Sequence, residues 1–93
     1  MILKVEYYFP SDGSVQYKFW KNEKGQAHRE DGPAFEYSNG RRIWYKNGEW
    51  HREDGPAIVF TDGRHQYYLN NELYSEEEYC EEIEKMKKER ENK

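Results

Sequence analysis

The chain has 93 residues, of which 17% are aromatic and 37% charged, and its formal net charge is −4. Residues 1–93 are enough for a single domain with a thin core, since a chain of this length buries only about 60–65% of the surface that its unfolded form exposes. The acidic balance excludes the basic surface typical of nucleic-acid-binding proteins, and no run approaches the roughly 20 apolar residues that cross a bilayer.

The residues before position 70 predict about six β-strands, because apolar side chains recur there at every second position. The strands are predicted at 2–9, 14–21, 34–38, 41–46, 57–61 and 64–69. Hairpin turns follow from Ser11-Asp12-Gly13, Asn39-Gly40, Asn47-Gly48 and Asp62-Gly63, since Asn-Gly and Asp-Gly are the strongest short-range turn signals. We expect a mainly β fold, an antiparallel meander over residues 1–74.

The pattern changes to helix at Ser75. Ser75 with Glu78 three residues later forms a capping box, and the acidic residues that follow Ser75 suit the positive end of a helix dipole. Tyr79, Ile83 and Met86 share one apolar stripe. We expect a helix over 76–90, within a capping segment of residues 75–91 that covers one end or face of the sheet. Cys80, the only cysteine, is expected to be a small packing residue.

A heptapeptide occurs twice in the chain, 23 residues apart. His-Arg-Glu-Asp-Gly-Pro-Ala at 28–34 recurs letter for letter at 51–57. An earlier copy begins at Trp20-Lys21-Asn22, with two extra residues in its turn. Asp-Gly-Pro has turn chemistry, and identity between two copies indicates a shared folding problem rather than an active site. The expected structural turn residues are His28, Asp31, Gly32 and Pro33, and His51, Asp54, Gly55 and Pro56.

The 23-residue period, the Tyr-Lys-Asn-Gly-Glu turn at 45–49 and the His-led loops resemble the MORN repeat, whose units are successive β-hairpins. The likeness covers residues 12–74. Where the usual MORN loop has His-Gly-x-Gly, this chain has the heptapeptide, a variant associated with small proteins of bacteria, phages and large viruses and with an antitoxin-like group. The resemblance implies a hairpin-repeat fold and a binding role, and at 71–79 the next loop is replaced by a helix that caps the array.

Catalysis is not expected. The sequence has no Gly-rich phosphate loop, nucleophile elbow or zinc-ligand spacing. His28 and His51 belong to equivalent turns about 10 Å apart at ~4.8 Å per strand, which is too far for a shared metal. A thin sheet also offers no deep, dry pocket. We therefore predict a non-enzymatic protein without cofactor or metal. Because the N-terminus lacks the features of a signal peptide, we place it in the cytoplasm of a bacterial host cell.

Three binding hypotheses remain. The first is an inhibitor of a host enzyme or defence complex, of phage or mobile-element type, that binds a host protein. If the inhibitor acts by acidic mimicry of nucleic acid, its target is a host protein that binds nucleic acid. The second is capture of a nucleotide or small anion between aromatic rings and Arg29, Arg52 or Arg64. The third is self-association, as a homodimer, through a strand edge or the aromatic surface. Neither direct nucleic-acid binding nor membrane binding is expected.

The predicted partner-binding surface combines aromatic residues with arginines, the composition of binding hot spots. Its aromatic members are expected on the sheet face opposite a core of Phe19, Phe35, Phe60, Tyr37 and Tyr67, although a one-residue slip in register would exchange the faces. The predicted contact residues are Trp20, Trp44, Tyr45, Tyr68, Arg29, Arg42, Arg52 and Arg64.

Overall fold

The computed structural model describes residues 4–91. Within that range, nine strands precede one helix. Their bounds are β1 (Lys4–Tyr8), β2 (Tyr17–Lys21), β3 (Phe35–Tyr37), β4 (Arg42–Ile43), β5 (Tyr45–Lys46), β6 (Glu49–Trp50), β7 (Ile58–Val59), β8 (His65–Leu69), β9 (Glu72–Tyr74) and α1 (Glu76–Glu91). Positions 2 and 3 of the first predicted strand lie outside the described residues.

Seven of the strands form one antiparallel sheet in the order β1-β2-β3-β4-β7-β8-β9, and β5 pairs with β6 in a small second sheet. The predicted mainly β fold with a C-terminal helix is therefore confirmed. The molecule measures 51 × 34 × 17 Å along its principal axes, as expected for a single layer of sheet. Its core is thin, as predicted: the buried apolar side chains among the described residues are Ala34, Ile43, Ala57, Ile58, Leu69 and Tyr79.

The strand predicted over 41–46 is interrupted. β4 ends at Ile43 and β5 begins at Tyr45, because β4 pairs with β7 whereas β5 pairs with β6 in the second sheet. Between them, Trp44 donates its backbone N–H to Ala57 O (2.7 Å). The structure also contains β6 and β9, for which no strands were predicted. These two short return strands follow tight turns in which Asn47, Asn70 and Asn71 all have positive φ, and their few residues carry too little alternation to be recognised.

The sheet has two chemically distinct faces. Register pairs Tyr17 with Tyr37, and Phe19 with Phe35, on one side, and ring contacts extend this side across the sheet. We call it the aromatic face; it consists of Tyr8, Tyr17, Phe19, Phe35, Tyr37, Tyr45, Trp50 and Tyr68. We call the other side, which bears Trp20, Trp44 and Tyr67, the loop face, because the heptapeptide arginines stack over it.

Helix α1 packs against β8 and β9 and begins with the predicted capping box. Glu78 N–H donates to Ser75 Oγ (3.2 Å), and Ser75 N–H donates to Glu78 Oε1 (3.0 Å). Tyr79 is buried and the rest of its stripe is half-buried. Cys80 is exposed, so its expected packing role is wrong: it lies one residue past Tyr79, off the stripe. No helix within residues 4–91 is long and apolar enough to cross a membrane.

Candidate functional site

The two heptapeptides form two loops, which we call the first loop (28–34) and the second loop (51–57). Each begins with a histidine held from both ring nitrogens. His28 Nδ1 accepts the backbone N–H of Asn47 at 2.9 Å, and its Nε2 lies 2.9 Å from Glu30. His51 repeats both contacts, with Asn70 N at 3.1 Å and Glu53 at 2.8 Å. Because Nδ1 accepts, the ring proton belongs on Nε2, which donates to the carboxylate.

The arginine of each loop closes the turn on itself. Arg29 Nε donates to Asp31 at 3.1 Å and its Nη1 donates to Pro33 O at 3.2 Å, while Cζ lies 3.8 Å from the centroid of the Trp20 ring. A cation above an indole at this distance is strongly attracted to the ring face. The edge of the Arg29 guanidinium is therefore hydrogen-bonded within the loop, and its face is stacked on Trp20 of β2.

Arg52 makes the same contacts in the second loop. It reaches Asp54 at 2.9 Å and Pro56 O at 3.0 Å, and its Cζ lies 3.8 Å from the Trp44 ring. A Cβ added to Gly55 would lie 2.9 Å from Arg52 Cζ, and one added to Gly32 would lie 3.0 Å from Arg29 Cζ. A side chain at either position would displace the guanidinium from its hydrogen bonds and from the tryptophan ring, which favours glycine there.

The loops thus use the histidines, aspartates, glycines and prolines that the sequence predicted for structural turns. Each imidazole faces a carboxylate of its own loop rather than a common ion. Within residues 4–91, the structure contains no cluster of three or more His, Cys, Asp or Glu side chains that could hold a metal. Within each loop, these contacts stabilise the turn.

The first unit aligns with the second differently from the sequence prediction. Trp20 N donates to Ala34 O at 2.9 Å, as Trp44 N does to Ala57 O, and both tryptophans carry the stacked arginine. Trp20 therefore corresponds to Trp44. Counting from these tryptophans to His28 and His51 gives eight and seven residues, so the first turn is one residue longer rather than two.

In the third unit the helix replaces the heptapeptide. Tyr67 lies 23 residues after Trp44, and its ring contacts that of Tyr79 of α1, with centroids 4.6 Å apart and ring planes inclined by 39°. The Tyr79 hydroxyl donates to Arg52 O and accepts the N–H of Gly55 (3.2 Å). Burial raises the pKa of Tyr79 above its ordinary value. A phenol thus takes the place over Tyr67 that a guanidinium takes over the tryptophans of the earlier units.

The second loop has a further contact with α1, through Arg90 and Glu53. Burial alone raises the pKa of the Glu53 carboxyl, but hydrogen bonds from Arg90 and His51 outweigh it and hold the pKa below its ordinary value. The sequence analysis did not single out Tyr79 or Arg90 as partners of the loop. The one sequence signal for these contacts was that helix residues stand where a third heptapeptide would be expected.

The aromatic face carries a run of contacting rings from one side of the sheet to the other. Ring centroids are separated by 5.0 Å for Tyr8 and Tyr17, 4.9 Å for Phe19 and Phe35, and 5.5 Å for Phe35 and Tyr45. The run continues at 6.1 Å from Tyr45 to Trp50 and at 5.0 Å from Trp50 to Tyr68. Most of these rings are half-buried; α1 contacts Tyr67, on the other face.

The predicted partner-binding aromatics do not share one face. Trp20 and Trp44 lie on the loop face, whereas Tyr45 contacts Phe35 and Tyr68 contacts Trp50 on the aromatic face. The prediction failed because Trp44 and Tyr45 are neighbours in the chain and alternate across the sheet. Tyr67, expected in the core with the phenylalanines, also lies on the loop face.

The predicted arginines are dispersed as well. Arg29 and Arg52 lie within their loops, and Arg64 pairs with Asp62 of its own turn at 2.7 Å, with 79% of its side chain exposed. Arg42 is exposed and stands opposite Glu36 and Val59 in the sheet. The four guanidinium groups do not converge on one site.

A cleft of about 760 Å³ separates the two loops on the loop face. Four cationic residues, Arg29, Lys46, Arg52 and Arg90, line it together with four acidic ones, Glu30, Asp31, Glu53 and Asp54. Equal numbers of opposite charges give a bound anion no net attraction, which disfavours the nucleotide hypothesis at this place.

Comparisons with known proteins yield no relative from which a role could be transferred. No family model matches the chain, and no curated protein and no solved structure matches it. The function has to be inferred from the geometry of the two faces.

Proposed function

We propose that the chain is a non-catalytic binding protein of the MORN-like repeat type, which uses its aromatic face to dock on a host protein in the bacterial cytoplasm and inhibits it. One observation carries this proposal: eight aromatic rings form a continuous contacting run on one face of the sheet, in a molecule that measures 17 Å along its shortest principal axis. Tyrosine and tryptophan dominate binding hot spots because they bring large contact area at low entropic cost.

The loop face is a poorer candidate for the interface. Its tryptophans are already covered by Arg29 and Arg52, whose guanidinium groups also bond Asp31 and Asp54. A partner that used those arginines would have to break contacts that hold the turns. The aromatic face needs no such rearrangement, since its rings contact one another and stay partly accessible to solvent.

The charge of the chain supports a basic target. A net charge of −4 favours association with a cationic surface such as a nucleic-acid-binding cleft. If the protein competes with nucleic acid for that cleft, its affinity falls as salt rises, because opposite charges are then screened. Affinity that does not change between about 50 and 500 mM salt would argue against mimicry while leaving aromatic docking in place.

Capture of a host protein from bacterial lysate, identified by mass spectrometry, provides the target for a direct test. Leu73 is 56% exposed and pairs with Tyr68 on the aromatic face, whereas its neighbour Glu72 points to the loop face. Leu73→Asp should weaken binding of the purified target about tenfold or more, which corresponds to about 1.4 kcal/mol. Glu72→Ser is the matched control on the same strand. Equal affinity for the two variants would refute docking by the aromatic face.

A further inference from the structure

The exposed apolar side chains are concentrated at one end of the repeat array. Six large apolar residues of the described chain are exposed, and five of them belong to the N-terminal hairpin. These are Val5 (39%), Tyr7 (61%), Tyr8 (49%), Phe9 (66%) and Val15 (41%). They lie on both faces of the sheet, since Val5 pairs with Trp20 and Tyr8 pairs with Tyr17, so exposed apolar surface flanks β1 on either side.

The two ends of the array differ in how they are closed. At the C-terminal end, α1 covers Tyr67 with Tyr79. At the N-terminal end, β1 is the outermost strand and pairs only with β2 within residues 4–91. Repeat arrays require a cap at each end, and within residues 4–91 no element lies beyond β1.

The outer edge of β1 lacks two of the usual protections against strand pairing, a bulge and a proline. Its register with β2 runs without a bulge from Lys4 opposite Lys21 to Tyr8 opposite Tyr17, and it contains no proline. Its two charged residues are Lys4 and Glu6, and Glu6, which also pairs with Lys21 of β2 at 2.8 Å, stays 47% exposed. Charges on an edge oppose pairing with most strands, but a strand that places an opposite charge beside each of them removes this protection.

We infer that β1 is a dimerisation edge, at which a second copy of this chain adds its own β1 in antiparallel orientation. A two-fold axis perpendicular to the sheet at Val5 places Lys4 of each copy opposite Glu6 of the other. The charges on either side of Val5 are therefore self-complementary, as a two-fold interface requires. Seven strands from each copy join in one sheet of fourteen, with the aromatic faces of both copies on the same side.

The inference is tested by sedimentation of the full chain at micromolar concentrations, with circular dichroism to confirm that each variant is folded. The wild type should sediment with twice the mass of one chain. Lys4→Glu and Glu6→Lys should each weaken the dimer at least tenfold, because each places like charges opposite one another. Mixing these two variants should restore a dimer, since every pair of facing charges is then opposite.

Other results would overturn the inference. A wild type that remains monomeric at high concentration excludes it, including the case in which β1 accepts a strand only from another protein. A dimer unaffected by both single variants, or disrupted equally by Leu73→Asp, would place the contact on the aromatic face instead. The proposed host-protein interface is tested separately, since Leu73→Asp should leave the β1 dimer intact.

Discussion

The first and second loops have the same seven residues and the same internal contacts, yet different surroundings. Each histidine accepts a turn amide and donates to its own glutamate, and each arginine stacks on a tryptophan at 3.8 Å. The second loop is also hydrogen-bonded by Tyr79 and Arg90 of α1, whereas within residues 4–91 no side chain of α1 forms a hydrogen bond with the first loop. The heptapeptide therefore specifies its own turn, and the following unit decides what lies against it.

The largest effect should come from removing the histidines. His28 is 1% exposed and is the largest fully buried side chain among the described residues. His28→Ala leaves a cavity and deprives the Asn47 amide of its acceptor, so we expect a loss of about 3 kcal/mol in the free energy of unfolding. His51→Ala should cost less, because that side chain is 8% exposed. Urea denaturation measures both variants.

A control keeps the histidine comparison interpretable if His28→Ala does not fold. His28→Asn retains an acceptor, Oδ1, near the position of Nδ1 and should recover part of the lost stability. Equal losses for the alanine variants at both loops would mean that burial does not distinguish them.

The arginines should behave alike in the two loops, because their contacts within the loops and with the tryptophans match. The one difference, an ion pair of Arg29 with Glu36 at 3.6 Å, is long and partly exposed and contributes little. Arg29→Lys and Arg52→Lys each replace a planar fork, bonded at two atoms and stacked on an indole, by a point charge that cannot reproduce this geometry. We expect each to lower the free energy of unfolding by about 1–2 kcal/mol. Thermal and urea unfolding check this. A difference of more than about 1 kcal/mol between the two variants would contradict the equivalence of the loops.

Tyr79→Phe should act on the second loop alone. The change keeps the ring over Tyr67 but removes the hydroxyl that bonds Arg52 O and the Gly55 amide. We expect a loss of about 1 kcal/mol. Hydrogen exchange of the Gly55 amide should become faster, while that of Gly32 in the first loop should not change. Unchanged exchange at Gly55 would show that the helix does not secure this loop.

Much of the fold was predictable because it depends on local signals. The Asn-Gly and Asp-Gly turns, the alternation of β1, β2 and β8, and the capping box at Ser75 each depend on a few neighbouring residues. The break at Trp44 was not predictable, since it arises where the chain changes its partner strand from β7 to β6, and the residues around Trp44 do not indicate either pairing. The two-residue strand β6 was missed because it is held by its partner strand and its turn rather than by a pattern of its own.

The candidate site was harder to predict than the fold. The repeated heptapeptide predicted a structural turn, and no local pattern indicated where its arginines would point. Trp20 and Tyr45 were expected on one face. Trp44, which corresponds to Trp20, immediately precedes Tyr45 in the chain, so Tyr45 points to the opposite face of the sheet from both tryptophans. Tyr79 covers the second loop through a hydrogen bond to a residue 27 positions earlier in the chain. The one sequence signal for this contact was that no third heptapeptide follows the second.

The smallest effect concerns the ion pair that only the second loop makes with the helix. Arg90 and His51 hold the pKa of Glu53 below its ordinary value of 4.5, despite the opposing effect of burial. A carboxyl whose pKa is lower in the folded state contributes stability above its unfolded pKa, and that contribution is lost as pH falls through the folded value. Glu53→Gln should therefore lower the free energy of unfolding at pH 7 by less than about 1 kcal/mol, and the difference should shrink below pH 4.5.

The matched control for this change is Glu30→Gln in the first loop, whose glutamate bonds His28 but has no contact with Arg90 among the described residues. Urea midpoints for wild type and both variants between pH 3 and pH 7 provide the measurement. Because the Arg90 contact is what distinguishes the loops here, Arg90→Gln should reduce the effect of Glu53→Gln when the two are combined. Full additivity of the two changes would mean that Arg90 and Glu53 do not interact in solution, and that the second loop is distinguished from the first by Tyr79 alone.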